Sequence, residues 1–152
     1  MMTLETPRVQ GELLDRLGRL RPDSARQWGR MSAHQMVCHL SDSARMALGE
    51  RDVSPATGAY QRTLLKWLAL YGPLPWPPGI VTRPEVDQVS EGTQPREFST
   101  DVEALRALTA RLIERAPRMD GRAHPIFGRL SRRAWMRWAF LHMDHHLRQF
   151  GV

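Results

Sequence analysis

Apolar residues recur along this chain at helical spacing, and no convincing alternation with a period of two interrupts them. Val9, Leu13, Leu17 and Leu20 define one stripe, with Arg8, Glu12, Asp15 and Arg19 elsewhere around it. This pattern predicts a first helix over about Pro7 to Leu20, broken by Pro22-Asp23-Ser24. Ser32-Ala33-His34-Gln35 fits a capping box, in which the serine oxygen and the glutamine side chain satisfy backbone N–H groups reciprocally. A second helix is therefore expected, with Met36, Leu40, Ala44, Ala47 and Leu48 as its stripe and Gly49 as its stop. A third is expected from Ser54-Pro55 to Tyr71, with proline at the first helical position. Thr100-Asp101-Val102-Glu103 reads as another capping box, opening a fourth helix that ends near Ala116 before Pro117. Ser131 is the expected N-cap of a last helix reaching Phe150, ahead of Gly151.

Two stretches are not periodic. Residues 72–98 hold six prolines and three glycines, and a connection of that length is usually functional or mobile. Its Pro73-Leu74-Pro75-Trp76-Pro77-Pro78 run is too apolar for a solvated linker and is expected to pack over the helices. Residues 117–130 form a turn-rich link containing His124-Pro125-Ile126-Phe127-Gly128. No internal repeat is visible. The expected fold is all-α, one four-helix-bundle domain over residues 1–152, with a long Pro/Gly-rich loop between the third and fourth helices.

Composition narrows the class. The chain has 152 residues, 41% of them hydrophobic and 25% charged, which suits one globular domain able to bury its own core. Cys38 is the only cysteine, so no internal disulfide forms. The N-terminus lacks the basic-then-apolar pattern of a signal peptide, and no apolar run approaches a membrane span. A cytoplasmic location and no membrane partner are the corresponding expectations.

The formal net charge is +6, concentrated toward the C-terminus: five Arg and no acid fall between Arg122 and Arg137. A basic stretch can hold phosphates, but no zinc finger, P-loop or aromatic-interleaved pattern accompanies it, and nucleic acid is an unlikely partner.

Of six histidines, three lie within Leu141–Gln149: His142, His145 and His146. At about 100° per residue, His142 and His146 lie within about 40° of each other around a helix. That places two imidazoles one turn apart on one face, a geometry that chelates a metal ion. Trp135, Trp138, Ala139 and Phe150 share the face, whereas Arg133, Arg137, Asp144 and Arg148 lie opposite. The pair is therefore expected to point inward, where unpartnered imidazoles are costly. His39, at the border of the second helix's apolar stripe, is the candidate third ligand. His34 competes for that role but sits in a first turn, where exposure is expected. A paired-histidine core without metal remains the alternative. Three neutral imidazoles suit Zn or Ni, with Fe also possible.

Around this set, His145 is expected to make an edge or supporting hydrogen bond. Gln149 shares the face and is placed to bond either an imidazole or a neighbouring helix. His124 reads as part of a turn, with a pocket role as the alternative. Trp76 is the aromatic best placed to line a pocket mouth. Trp135 and Trp138 read as core, and Cys38 as a small semi-buried residue.

Several segments together resemble the DinB-like (YfiT-like) metalloenzyme superfamily of bacterial four-helix bundles, in an uncharacterised branch. They are Trp28-Gly29-x-Met31-Ser32-x-x-Gln35-Met36-Val37-x-His39-Leu40-x-Asp42, Pro75-Trp76-Pro77, His124-Pro125-x-Phe127-Gly128, and His142-x-Asp144-His145-His146-Leu147-Arg148-Gln149-Phe150-Gly151. The resemblance implies a three-histidine metal site at His39, His142 and His146. It also implies frequent homodimers, and relatives that include thiol-dependent S-transferases and an isomerase. A metal-dependent S-transferase using a low-molecular-weight thiol, or a hydrolase, acting on a small-molecule substrate is the leading expectation. Arg122, Arg129, Arg132 and Arg133 are candidates to hold a carboxylate-bearing thiol. A non-catalytic metal- or small-molecule-binding module is the alternative.

Overall fold

The computed structural model describes residues 1–56 and 58–152. It is predominantly helical, with five α-helices: α1 (Pro7–Arg19), α2 (Ala33–Leu48), α3 (Lys66–Tyr71), α4 (Phe98–Arg115) and α5 (Arg132–Gln149). α2 packs along α4, and α5 packs against α1, α2 and α3. One apolar core joins them, from Leu13 and Leu17 through Met36 and Leu105 to Trp135, Met136 and Leu147.

The start of α2 follows its sequence. Ser32 Oγ accepts from Gln35 N at 3.1 Å and Gln35 Oε1 accepts from Ser32 N at 2.9 Å. Gly49 closes the helix at φ 81°, a left-handed conformation that glycine adopts without steric cost. Ser131 caps α5, accepting from Ala134 N.

Four expectations are corrected. The expected capping box Thr100–Glu103 does not start α4. Glu97 is the N-cap, its carboxylate accepting from Ser99 N and Thr100 N, so the helix begins at Phe98. The anion offers two acceptor oxygens to the free N–H groups where Thr100 offers one hydroxyl. The third helix does not begin at Ser54-Pro55. Helical turns start at Ala59, pass through a π-helical segment Gln61–Leu65 and reach Tyr71 as α3. Residues 54–56 are instead irregular, Ala56 N donating to the Pro125 carbonyl; Thr57, within the expected span, lies outside the described residues. A short antiparallel ladder also exists, Ala123–His124 on Gly128–Arg129. Two residues per strand are too few to show a period. Finally, His34 is half-buried rather than exposed, with Nε2 at 2.7 Å from Asp101 Oδ2 on α4.

The long loop after α3 is anchored at several points. Trp76 Nε1 donates to the Ala69 carbonyl at 2.7 Å. Beyond a 3-10 turn at Pro84–Val86, the loop docks on Asp42, whose side chain is fully buried. Asp42 Oδ2 accepts from Gln88 Nε2 at 2.9 Å and Thr93 N at 2.8 Å; Oδ1 accepts from Thr93 Oγ1 at 2.7 Å. Arg45 and Arg51 complete the set, at 3.1 and 3.3 Å from Oδ1. A buried carboxylate persists only with such partners.

Candidate metal centre

Three imidazoles from two helices meet beside this docked loop. His39 comes from the middle of α2, and His142 and His146 from successive turns of α5. One ring nitrogen of each lies within 4.8 Å of the others. His39 Nε2 and His142 Nε2 are 3.0 Å apart. Two nitrogens of a tetrahedral site with metal–nitrogen distances of about 2.0–2.1 Å stand roughly 3.3–3.4 Å apart, so this pair is a few tenths of an ångström inside that spacing and within hydrogen-bond reach of each other.

The outer nitrogens are held by the protein. His39 Nδ1 lies 2.7 Å from the Val86 carbonyl, which can only accept, so Nδ1 carries the proton and Nε2 keeps its lone pair. His146 Nδ1 lies 2.9 Å from Gln149 Oε1. The Gln149 amide is oriented by its other end, where Nε2 donates to the Trp28 carbonyl at 2.9 Å. Hence His146 Nδ1 is also a donor and its Nε2 is free to ligate. Of the alternatives expected for Gln149, the bond to an imidazole is the one present, and its second partner lies in the irregular segment before α2 and not on a helix. Gly29 belongs to the same arrangement. It has φ 77°, and a Cβ there would lie 2.5 Å from Gln149 Nε2.

Burial pushes all three imidazoles below the ordinary histidine range. For His142 the neighbouring His146 and His39 add to the effect, and for His146 the neighbouring His39 does. For His39, the Val86 carbonyl partly opposes burial. All three are accordingly neutral near pH 7, the form that binds metal.

Of the other expected residues, His145 is more buried than an edge position implies, 5% exposed, and its Nδ1 has no partner. Trp76 lies over the site, its ring centroid 6.2 Å from that of His142 and 6.1 Å from that of His145. His124 is both turn and pocket wall: Nδ1 accepts from Ile126 N and Phe127 N, and the ring is buried against Trp135 and Trp138. Trp138 stacks on His142 with centroids 5.1 Å apart. Cys38, beside His39, is buried with its thiol pushed up to about 12, first by burial and then by Asp101. It stays a protonated thiol. Arg122, Arg129, Arg132 and Arg133 do not line the pocket above the histidines. Arg132 pairs with Glu5, and Arg129 bonds the Gly121 carbonyl and borders a separate cleft with Arg62 and Lys66.

That pocket has a volume of about 540 Å³. α2, α3, the proline-rich loop and the link before α5 wall it, and the histidines form one end. No Asp or Glu lines it among the described residues. His39, His142 and His146 form the only all-histidine group of metal-ligand geometry among the described residues; His34, Cys38 and Asp101 form a mixed one. In the latter, Asp101 Oδ2 is already engaged by His34, the Cys38 thiol and Arg96 N.

The chain belongs to the family described as "Protein of unknown function (DUF1569)", which it matches over residues 4–151. No curated protein and no solved structure matches it. No helix among the described residues is long and apolar enough to cross a membrane.

Proposed function

We propose that this protein is a metal-dependent enzyme whose ion is held by His39, His142 and His146, acting on a small molecule as a thiol-dependent S-transferase or a hydrolase. The observation that carries the reading is the convergence of three neutral imidazoles, two with their outer nitrogens fixed, at the end of a pocket of ligand size. An ion there would serve as a Lewis acid and make a coordinating thiol or water more acidic. The chain's own residues supply the rest. Val86 and Gln149 hold the imidazole tautomers, and Trp76 and Trp138 shield the site from bulk water. His145 presents a buried Nδ1 without a hydrogen-bond partner beside the three imidazoles.

In this reading α1, α2, α4 and α5 form a DinB/YfiT-like four-helix bundle in one domain, with α3 and the long loop as its cap. The α2–α4, α1–α5 and α2–α5 packings support it, as do the sequence segments shared with that superfamily. The protein works in the cytoplasm with a second copy of itself as partner. A non-catalytic binding module is favoured by one observation, the lack of any carboxylate in the pocket wall to serve as a general base.

Elemental analysis of untagged protein tests the metal centre. About one equivalent of Zn, Ni or Fe per chain is expected, lost in His142→Ala/His146→Ala with helical content unchanged. Metal-free wild type that stays folded and takes up none of these ions on titration overturns it.

A further inference from the structure

We infer that the pocket above the three histidines takes a small molecule with an uncharged, apolar body and a polar donor group at its inner end. Only that inner-end contact rests on the metal-centre reading.

The wall is made by side chains that cannot solvate an ion. Met46 comes from α2, Leu68 and Ala69 from α3, and Leu74, Trp76 and Ile80 from the loop. The single formally charged side chain in the lining is Arg83. Its Nη2 donates to Ser54 Oγ, its guanidinium adds a minor share to the lowering of the Glu85 carboxyl, which hydrogen bonding from Ser54 leads, and its Nε is buried without a partner. The ionisable groups at the inner end are imidazoles, buried in His39, His145 and His146 and half-buried in His142. A charge carried against these aliphatic walls would lose its hydration without a counter-charge beside it, which costs several kcal/mol per ion. Of the other polar lining groups, Ser43 lies one turn along α2 from His39, and Thr82 joins Arg83 on the loop.

The opening carries the same character. Leu74 and Val81 line the pocket yet are 80% and 86% exposed, and Leu68 and Ile80 are exposed beside them. Large apolar groups held in water around an opening gain contact from a longer apolar ligand. Arg62, Lys66 and Arg129, which donate to backbone carbonyls, face a different cleft across the Pro125–Phe127 wall.

The test uses zinc-loaded, untagged full-length protein and titration calorimetry with straight-chain hydroxamates from acetohydroxamate to octanohydroxamate. Affinity should rise about fourfold per added methylene until the cavity is filled, the ratio that corresponds to about 0.8 kcal/mol per buried CH₂. Suberic acid monohydroxamate, equal in length to octanohydroxamate but ending in a carboxylate, should lose most of that gain. Leu74→Lys, at an exposed position on which the fold does not depend, should weaken octanohydroxamate several-fold and leave acetohydroxamate unchanged. A flat chain-length series, or a terminal carboxylate that binds as tightly as a methyl, overturns the inference. The metal-free His142→Ala/His146→Ala variant is titrated in parallel with 1-butanol through 1-octanol. A chain-length slope retained there with zinc uptake absent in the wild type rejects the metal centre alone. Loss of that slope with zinc uptake intact rejects the apolar pocket alone.

Discussion

His124 shows how much one side chain does in this protein without touching the three ligand nitrogens. Its Nδ1 takes two backbone N–H groups of the following turn. Its ring fills space between Phe127, Trp135 and Trp138, and burial pushes its pKa down to about 3. An unfolded histidine titrates near 6.5, so below that pH the unfolded chain takes up a proton that the native ring refuses. The residue's contribution is present above about pH 6.5 and is lost as pH falls toward 3, at roughly 1.4 kcal/mol per pH unit. His124→Asn keeps an acceptor for the turn and removes the titration. Urea unfolding at pH 7 and pH 5 should show the variant less stable at pH 7 but declining less between the two; equal declines would contradict the assignment. The sequence showed His124-Pro125 as a turn and did not show its burial, because residues in a non-periodic link carry no face. The histidine cluster was legible for the opposite reason. His142 and His146 sit four apart on a helix whose other residues mark the inward side.

At the scale of elements, capping chemistry made α2 and α5 readable nearly to the residue, and misplaced the start of α4, where Glu97 outcompetes Thr100. Least legible was the loop of residues 72–97, whose order comes from Asp42 on another element. Its carboxylate collects Gln88 and Thr93 from the loop together with Arg45 and Arg51. Nothing local in the sequence pairs Asp42 with Thr93, 51 residues away. Replacing it by Asn removes the charge and turns one acceptor into a donor facing arginine or the Thr93 amide. Asp42→Asn should cost roughly 2–4 kcal/mol of unfolding free energy. The Thr93 amide should lose protection from hydrogen exchange. Because the same loop carries Val86, zinc affinity should also fall, about 10–100-fold as for other groups that orient a ligand. Unchanged Thr93 protection in a folded variant would show that the loop holds itself.

For the whole molecule, the conspicuous feature is an apolar face left in water. Tyr60, Leu64, Trp67, Leu68 and Tyr71 follow one another at helical spacing, each 44–60% exposed. Helix periodicity could not separate this face from a core face, since both read as apolar stripes. Contiguous exposed apolar surface of this kind marks an interaction site, and a second copy of the chain is the partner proposed above. Light scattering should give a concentration-dependent dimer mass, and Trp67→Glu, whose side chain supports no core contact of its own chain, should shift it to monomer. Monomeric wild type up to millimolar concentration would count against self-association through this face.

The bond from His39 to Val86 has a last consequence, in time rather than in geometry. Two of the three imidazoles belong to one continuous helix, but the third is steadied by a carbonyl on a segment clamped elsewhere. For the metal centre proposed above, release of an ion would require that segment to lift and free the His39 ring to turn away. Its residence time is then expected to follow local opening of the loop, so that an excess of external chelator would not hasten release.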